Sequence, residues 1–256
     1  MKRVDSSLES QIKNLADFIH DASQILVFTG AGISTESGIS DYRSKGGLWD
    51  RFKPVTFQEF LSSSQKRQEY WQTRLELYES LPRASPNPGH KMIVELERQG
   101  KLKGIITQNI DGLHQLAGSR PEKILELHGS LREIICLNCN DVQAWQPVYE
   151  RLKTGETAPL CLGCGGLLKP NTISFGQALK PHVLTQAIEW AKTCDLLLVL
   201  GSTLVVEPAA SIPKIAHSHG AKLVIVTLSE TPLDEIAAVK ITAPIGSTLT
   251  QALKIN

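Results

Sequence analysis

The sequence predicts an α/β fold, in which a parallel sheet is covered by helices on both faces and interrupted by two insertions. Three observations carry this. Apolar runs of strand length recur at 24–29 (QILVFT), 104–108 (GIITQ), 195–200 (DLLLVL) and 222–228 (KLVIVTL). Segments of helical character lie between them, at 90–99, 182–193 and 209–219, and strands alternating with helices favour parallel pairing. Two stretches break the alternation. Residues 44–85 are polar, aromatic and helical in character, whereas 132–170 carry paired cysteines and are rich in Gly, Pro and Leu.

A chain of 256 residues suits one large domain with smaller insertions, and it buries enough core to fold without disulfides. Lys and Arg number 27 against 26 Asp and Glu, a formal charge of +1. That balance gives no broad electrostatic footprint for nucleic acid or an anionic membrane. The first twenty residues carry no apolar h-region, and no apolar run approaches the ~18 residues of a membrane helix. The expectation is a cytoplasmic chain.

The elements follow in order. Leu8, Ile12, Leu15, Ala16 and Ile19 fall at helical spacing behind Ser6 or Ser7 as cap. The strand at 24–29 runs into Gly30-Ala31-Gly32, which resembles half of a dinucleotide fingerprint. The third glycine of G-x-G-x-x-G is missing, because Thr35 stands in its place and the next glycine is Gly38. No second strand ending in Asp or Glu follows about 20 residues on, which disfavours an ordinary dehydrogenase. The loop is either a phosphate cradle or a strand-to-helix turn that needs positive φ.

Thr107-Gln108-Asn109-Ile110-Asp111-Gly112-Leu113-His114 closes a strand at the sheet edge where ligands of open α/β folds bind. Asp111 there is either a ligand-reading group or the cap of the next helix. Leu127-His128-Gly129 ends another strand and offers a histidine suited to base catalysis. His20, His182, His217 and His219 sit at or on helices and are assigned no role; His90 and His114 are supporting residues at most. Cys136-x-x-Cys139 and Cys161-x-x-Cys164 have the spacing of a structural four-cysteine zinc site, the alternatives being an iron–sulfur cluster or two redox pairs. Cys194 reads as a small core residue. Hydroxyl-rich turns at 201–208 and 227–229 follow the strongest strands and suit ribose and phosphate contacts or helix capping.

Taken together, these motifs resemble the sirtuin family of NAD-dependent protein-lysine deacylases. The order is GAGIS, ESGI and DYR (30–43), TQNIDGLH (107–114), ELHGS (126–130), the two CxxC pairs, KPNTISFG (169–176), GSTLVVEPA (201–209) and VTLSETPLD (226–234). The resemblance spans residues 8 to 254. It implies a Rossmann-like NAD-binding domain made of 1–43, 86–131 and 171–256. It also implies a small domain made of the helical insertion 44–85 and the zinc-binding module 132–170.

On the same basis NAD is consumed as co-substrate. Its diphosphate lies near Gly30, Ala31, Gly32, Ile33, Ser202 and Thr203, and Asp41, Arg43, Gly201, Thr227, Leu228, Ser229 and Ile245 add contacts. Gln108 touches the nicotinamide-side ribose, Asn109 and Asp111 form the nicotinamide pocket, Tyr42 covers the anomeric carbon and His128 is the general base. The acyl carbonyl oxygen attacks the anomeric carbon as nicotinamide leaves. An alkylamidate forms, His128 deprotonates a ribose hydroxyl that attacks it, and water completes release of lysine and O-acyl-ADP-ribose. The acyl-lysine peptide adds as a strand between Ser174-Phe175-Gly176 and Leu204-Val205-Val206.

The desuccinylating branch carries Tyr-x-x-Arg in its helical insertion, and this chain offers Trp71-x-x-Arg74 at a different spacing to Pro86-Asn87. These two residues are assigned to substrate, with Arg74 either clamping an acidic acyl group or lying solvated on its helix. Ser40, Tyr42, Asn171, Gln177 and Thr227 depart from the usual family residues, and Thr227 bears on NAD affinity. Competing readings are an NAD hydrolase or mono-ADP-ribosyltransferase using the same pocket, and a non-catalytic zinc-containing interaction module.

Overall fold

A computed structural model describes residues 7–41 and 53–254. Helix α1 (Leu8–Asp21) starts at Ser7, whose hydroxyl accepts the Ser10 N–H at 3.3 Å, and it buries Ile12, Leu15, Ala16 and Ile19. Strand β1 (Ile25–Thr29) leads into a 3₁₀ helix, Ala31–Ser37. Helices α2 (Phe57–Ser62), opened by a Thr56/Glu59 capping box, and α3 (Ser64–Ser80) follow. Next come α4 (Pro88–Arg98), β2 (Leu102–Thr107), the short α5 (Leu113–Ala117), β3 (Ile124–Glu126) and β4 (Gly129–Cys136). The remainder is β5 (Val142–Ala144), α6 (Trp145–Lys153), β6 (Leu168–Thr172), α7 (Pro181–Lys192), β7 (Leu196–Leu200), α8 (Ser211–Ser218), β8 (Lys222–Val226), β9 (Val239–Ile241) and α9 (Ile245–Lys254).

The main sheet has strand order β3-β2-β1-β7-β8-β9 and is parallel throughout. Alternate residues face opposite layers. Ile25, Val27, Leu196, Leu198 and Val224 pack with Leu15, Ile93 and Leu249 of α1, α4 and α9. Leu26, Phe28, Leu197, Val199 and Ile225 pack with Ala187, Ala191, Ile212 and Ala216 of α7 and α8. Burial on both faces is why these strands read as unbroken apolar runs.

Register sets up the site. Thr107 pairs with Thr29, Thr29 with Leu200, and Leu200 with Val226. The residues that follow, Gln108, Gly30, Gly201 and Thr227, therefore emerge side by side along one carboxyl edge. Chain order also runs outward in both directions from β1, which makes this edge a topological switch point.

The glycines of the first loop serve a reason neither sequence reading anticipated. Gly30 has φ −129°, an ordinary extended conformation. A Cβ on Gly30 would lie 2.8 Å from the Gly201 carbonyl oxygen, and one on Gly32 would lie 2.7 Å from Gly201 Cα. The loops after β1 and β7 cross backbone on backbone, so close approach, not positive φ, excludes a side chain.

A second, three-stranded antiparallel sheet has the order β5-β4-β6. Its core joins Leu131, Ile134, Cys136, Trp145, Val148, Cys161 and Leu168 to Trp71, Leu75 and Tyr78 of α3. Strands β5 and β9 have no counterpart in the sequence pattern, since they span three residues each, too short for a period to show.

Candidate active site

The aligned strand ends open onto a cavity of about 480 Å³. Gly30, Ala31, Gly32 and Asp41 line it from the first loop, and Gln108, Asn109 and His128 from the second and third strands. Gly201, Ser202, Thr203, Val206, Thr227, Leu228, Ser229 and Ile245 line the opposite side. Ser174, Phe175, Gly176 and Arg74 close it. Backbone, hydroxyl and carboxamide groups thus converge in a volume typical of nucleotide-sized ligands. Ile33 is absent from this lining: its side chain is fully buried in the core, and its carbonyl accepts from Asn87 Nδ2 at 2.7 Å. Tyr42 and Arg43 lie outside the described residues.

Asn109 and Asp111 are tied together by a residue that sequence reasoning left unassigned. Ser34 Oγ donates to Asp111 Oδ2 at 2.7 Å and accepts from Asn109 Nδ2 at 3.1 Å. Asn109 Nδ2 also donates to the Gly30 carbonyl at 3.1 Å, and Asp111 Oδ1 accepts the Leu113 N–H at 2.9 Å, an Asx-type turn leading into α5. The N-cap position itself is Gly112, in the left-handed region at φ 75°, so Asp111 is not the cap of the helix. Burial pushes its carboxyl above the usual range, opposed by the Leu113 and Ser34 donors. Asp111 faces a small side cavity of about 40 Å³, and Ala31, Asn109, Ile110 and Leu77 line both spaces.

His128 Nδ1 lies 3.0 Å from the Gln108 carbonyl oxygen. A carbonyl only accepts, so Nδ1 carries the proton and Nε2 keeps a lone pair. Burial pulls the imidazole below its usual range, and the Gln108 carbonyl partly opposes this. Gln108 Nε2 in turn donates to Ser202 Oγ at 2.7 Å, linking the loops after β2 and β7. Leu204 is buried with φ +54°, a strained conformation for a branched residue, and its N–H donates to Ser202 Oγ at 3.2 Å. Val205 and Phe175 are exposed apolar side chains, and Phe175 lines the cavity.

Trp71 is a correction. It is 1 % exposed, packs against Trp145 with ring centroids 5.7 Å apart, and does not line the cavity. On α3 the cavity-lining residues are Tyr70, Thr73, Arg74 and Leu77, an i, i+3, i+4, i+7 face. Trp71, Leu75 and Tyr78 form the neighbouring face, which the second core covers. Helical phase pointing back from Arg74 was the available signal for Tyr70. Tyr70 is buried between two cations, with the Arg74 guanidinium 4.7 Å and the Lys169 ammonium 5.6 Å from its ring centre. Burial opposes ionisation, yet Arg74 and Lys169 bring the phenol down to about 7.

The four cysteines Cys136, Cys139, Cys161 and Cys164 place their sulfurs within 4.8 Å of one another, and none is in a disulfide. Cys136 and Cys164 Sγ are 3.5 Å apart, Cys139 and Cys161 Sγ 3.9 Å. A tetrahedron with Zn–S of about 2.3 Å has edges of about 3.8 Å, so the donor set fits zinc. Donors from Gly166 N and Asn138 Nδ2 reach Cys164 Sγ at 3.4 and 3.6 Å, as a thiolate requires. Cys194 is buried in the core of the main sheet, as expected. Among the described residues no helix is long and apolar enough to cross a membrane.

Comparison with known proteins agrees with this geometry. A sequence model described as Sir2 family matches residues 30–208. An "NAD-dependent protein deacetylase" of Thermodesulfovibrio yellowstonii is 42% identical over 252 residues, covering 98% of each chain. An "NAD-dependent protein deacylase 2" of Archaeoglobus fulgidus is 42% identical, covering 94% of each. A solved structure described as "Sir2-p53 peptide-NAD+" superposes with TM-score 0.87 at 36% identity, covering 95% of this chain and 98% of that one. Matches of this extent and identity, over a site assembled at the same motifs, make the chain a member of the Sir2 family.

Proposed function

We propose that this protein is an NAD-dependent protein-lysine deacylase, a deacetylase by default, which yields nicotinamide, O-acyl-ADP-ribose and free lysine. The observation that carries the reading is the single cavity on which Gln108, Asn109, Gly30, Gly201 and a tautomer-fixed His128 converge. Relatives named as deacetylases or deacylases, and a Sir2 structure described as bound to acetylated peptide, support it.

NAD, when bound, supplies an electrophilic anomeric carbon and a nicotinamide leaving group. The chain's own residues do the rest. Asn109 and Asp111, braced by Ser34, orient the carboxamide through fixed donors and acceptors. Gln108 and Ser202 present a joined carboxamide and hydroxyl to a ribose. His128 takes a proton at Nε2 while Nδ1 stays on the Gln108 carbonyl. The exposed apolar side chains of Phe175 and Val205, next to the cavity-lining Ser174, Gly176 and Val206, support strand addition of a peptide between Ser174–Gly176 and Leu204–Val206. Arg74 and Tyr70 line the same cavity, which supports an acyl-contacting role for them.

We further place the protein in the cytoplasm, where unpaired cysteines stay reduced. We assign 1–43, 86–131 and 171–256 to the NAD-binding domain, and 44–85 with 132–170 to the small one. The shared Trp71–Trp145 core supports the second grouping. The formal charge of +1 supports a protein partner over nucleic acid.

The test is incubation with NAD and acetyl-, succinyl- and long-acyl-lysine peptides, followed by mass spectrometry. O-acyl-ADP-ribose forming with free lysine is the expected result. Free ADP-ribose produced without any peptide, or ADP-ribose attached to protein, would establish the hydrolase or transferase reading instead.

A further inference from the structure

Two histidines behind the cavity are buried without a full set of hydrogen bonds. Neither ring nitrogen of His90, on α4, has a partner, and Nδ1 of His114, on α5, has none. The rings lie 5.0 Å apart at 58°. Buried imidazole nitrogens left unmet call for a reason beyond packing.

The second nitrogen of His114 supplies one. His114 Nε2 is 3.0 Å from Thr29 Oγ1, which donates to Thr107 Oγ1 at 2.8 Å. Thr107 Oγ1 also accepts the Asn109 N–H at 3.0 Å. A hydroxyl has one proton, and Thr29 gives its own to Thr107, so its oxygen accepts from His114. His114 is therefore protonated on Nε2 and bare on Nδ1.

The relay ends at the turn that carries the chemistry. Gln108 presents the carbonyl that fixes His128, and Asn109 presents the amide beside Gly30 and Ser34. We propose that His90 and His114 are positioning residues: a buried imidazole pair that, through Thr29 and Thr107, holds the Gln108–Asn109 turn and thereby aims His128. Burial supports the neutral form, holding His90 at about 4 and His114, with His90 beside it, at about 3. The inference rests on the deacylase reading for its kinetic consequence, though not for its geometry.

His114→Leu removes the donor to Thr29, whereas His114→Gln keeps an amide nitrogen within its reach. Thr29→Val breaks the same link without touching either ring, and it carries the test if the leucine variant fails to fold. With NAD and an acetyl-lysine peptide, His114→Leu and Thr29→Val should each lower kcat about tenfold, with KM for NAD changed less than about threefold. His114→Gln should restore most of the rate. The double variant should be no slower than either single one, because both cut one relay. Nitrogen-15 spectra of the wild-type protein should show His114 as the Nε2–H tautomer. A Thr29→Val variant with wild-type kcat, rate losses that multiply in the double variant, or an Nδ1–H tautomer would overturn the proposal. A wild-type protein that makes no O-acyl-ADP-ribose would remove the deacylase reading alone, and the tautomer would still decide the relay.

Discussion

Gly32→Ala tests whether the loops after β1 and β7 must touch. The added methyl would sit 2.7 Å from Gly201 Cα and 2.8 Å from the Gly201 carbonyl oxygen. Carbon atoms settle at about 3.5–4.0 Å, so the backbones must part by roughly 0.8 Å or more. Both partners are backbone, and neither can rotate away. Overpacking of this kind costs about 1–3 kcal/mol, and each kcal/mol lowers Tm by about 2–4 °C in a chain of this size. The expected fall is roughly 2–12 °C in a calorimetric scan. Because the same loops line the cavity, a displacement near 1 Å should also cut kcat/KM for NAD by roughly 10- to 100-fold. Gly38→Ala is the control: Gly38 has φ +84° and open space around its missing Cβ. It should lose about 1–2 kcal/mol from the left-handed backbone alone and keep kcat/KM. Wild-type Tm in Gly32→Ala would refute the crossing argument, and lost NAD turnover at unchanged Tm would return the glycine to a purely phosphate-contacting role.

Three further outcomes are expected. His128 must be neutral to accept a proton, and burial lowers its pKa, so the acid limb of kcat should lie below pH 6.5; a limb above that would remove His128 as base, as would turnover in a folded His128→Ala. His90 and His114 have folded pKa values of about 4 and about 3 against 6.5 unfolded, so below pH 6.5 the unfolded chain binds more protons. Stability in urea should therefore be full above pH 6.5 and fall progressively toward pH 4, and His114→Gln should flatten the profile. Cys161→Ser should reduce elemental zinc from one per chain toward none. Because Cys161 shares a core with Trp145 and Trp71, tryptophan emission should shift red; unchanged zinc content would overturn the four-thiolate site.

Much of this was legible because local chemistry decided it. Ile25–Thr29 and Leu196–Leu200 are buried on both faces, so their composition alone announces a central strand. The CxxC pairs announce themselves because zinc geometry demands that spacing. What stayed hidden depends on partners far away in sequence. Trp71 and Tyr70 are adjacent, and only Trp145 decides which of them is core and which faces the cavity. Ser34 looks like any loop serine until the fold brings Asn109 and Asp111 to its hydroxyl. The glycines of GAG were visible, but the backbone they accommodate comes from Gly201.

The Trp71–Trp145 contact has a consequence for anyone recombining members of this family. The helical and cysteine-bearing insertions leave the main sheet at points far apart in the chain, yet neither completes a core alone. Leu75 and Tyr78 from one close over Cys136 and Val148 from the other. Transplanting a single insertion would strand half of a hydrophobic surface. The two segments are one unit of exchange written in two places, and a graft that respects only sequence continuity will divide it.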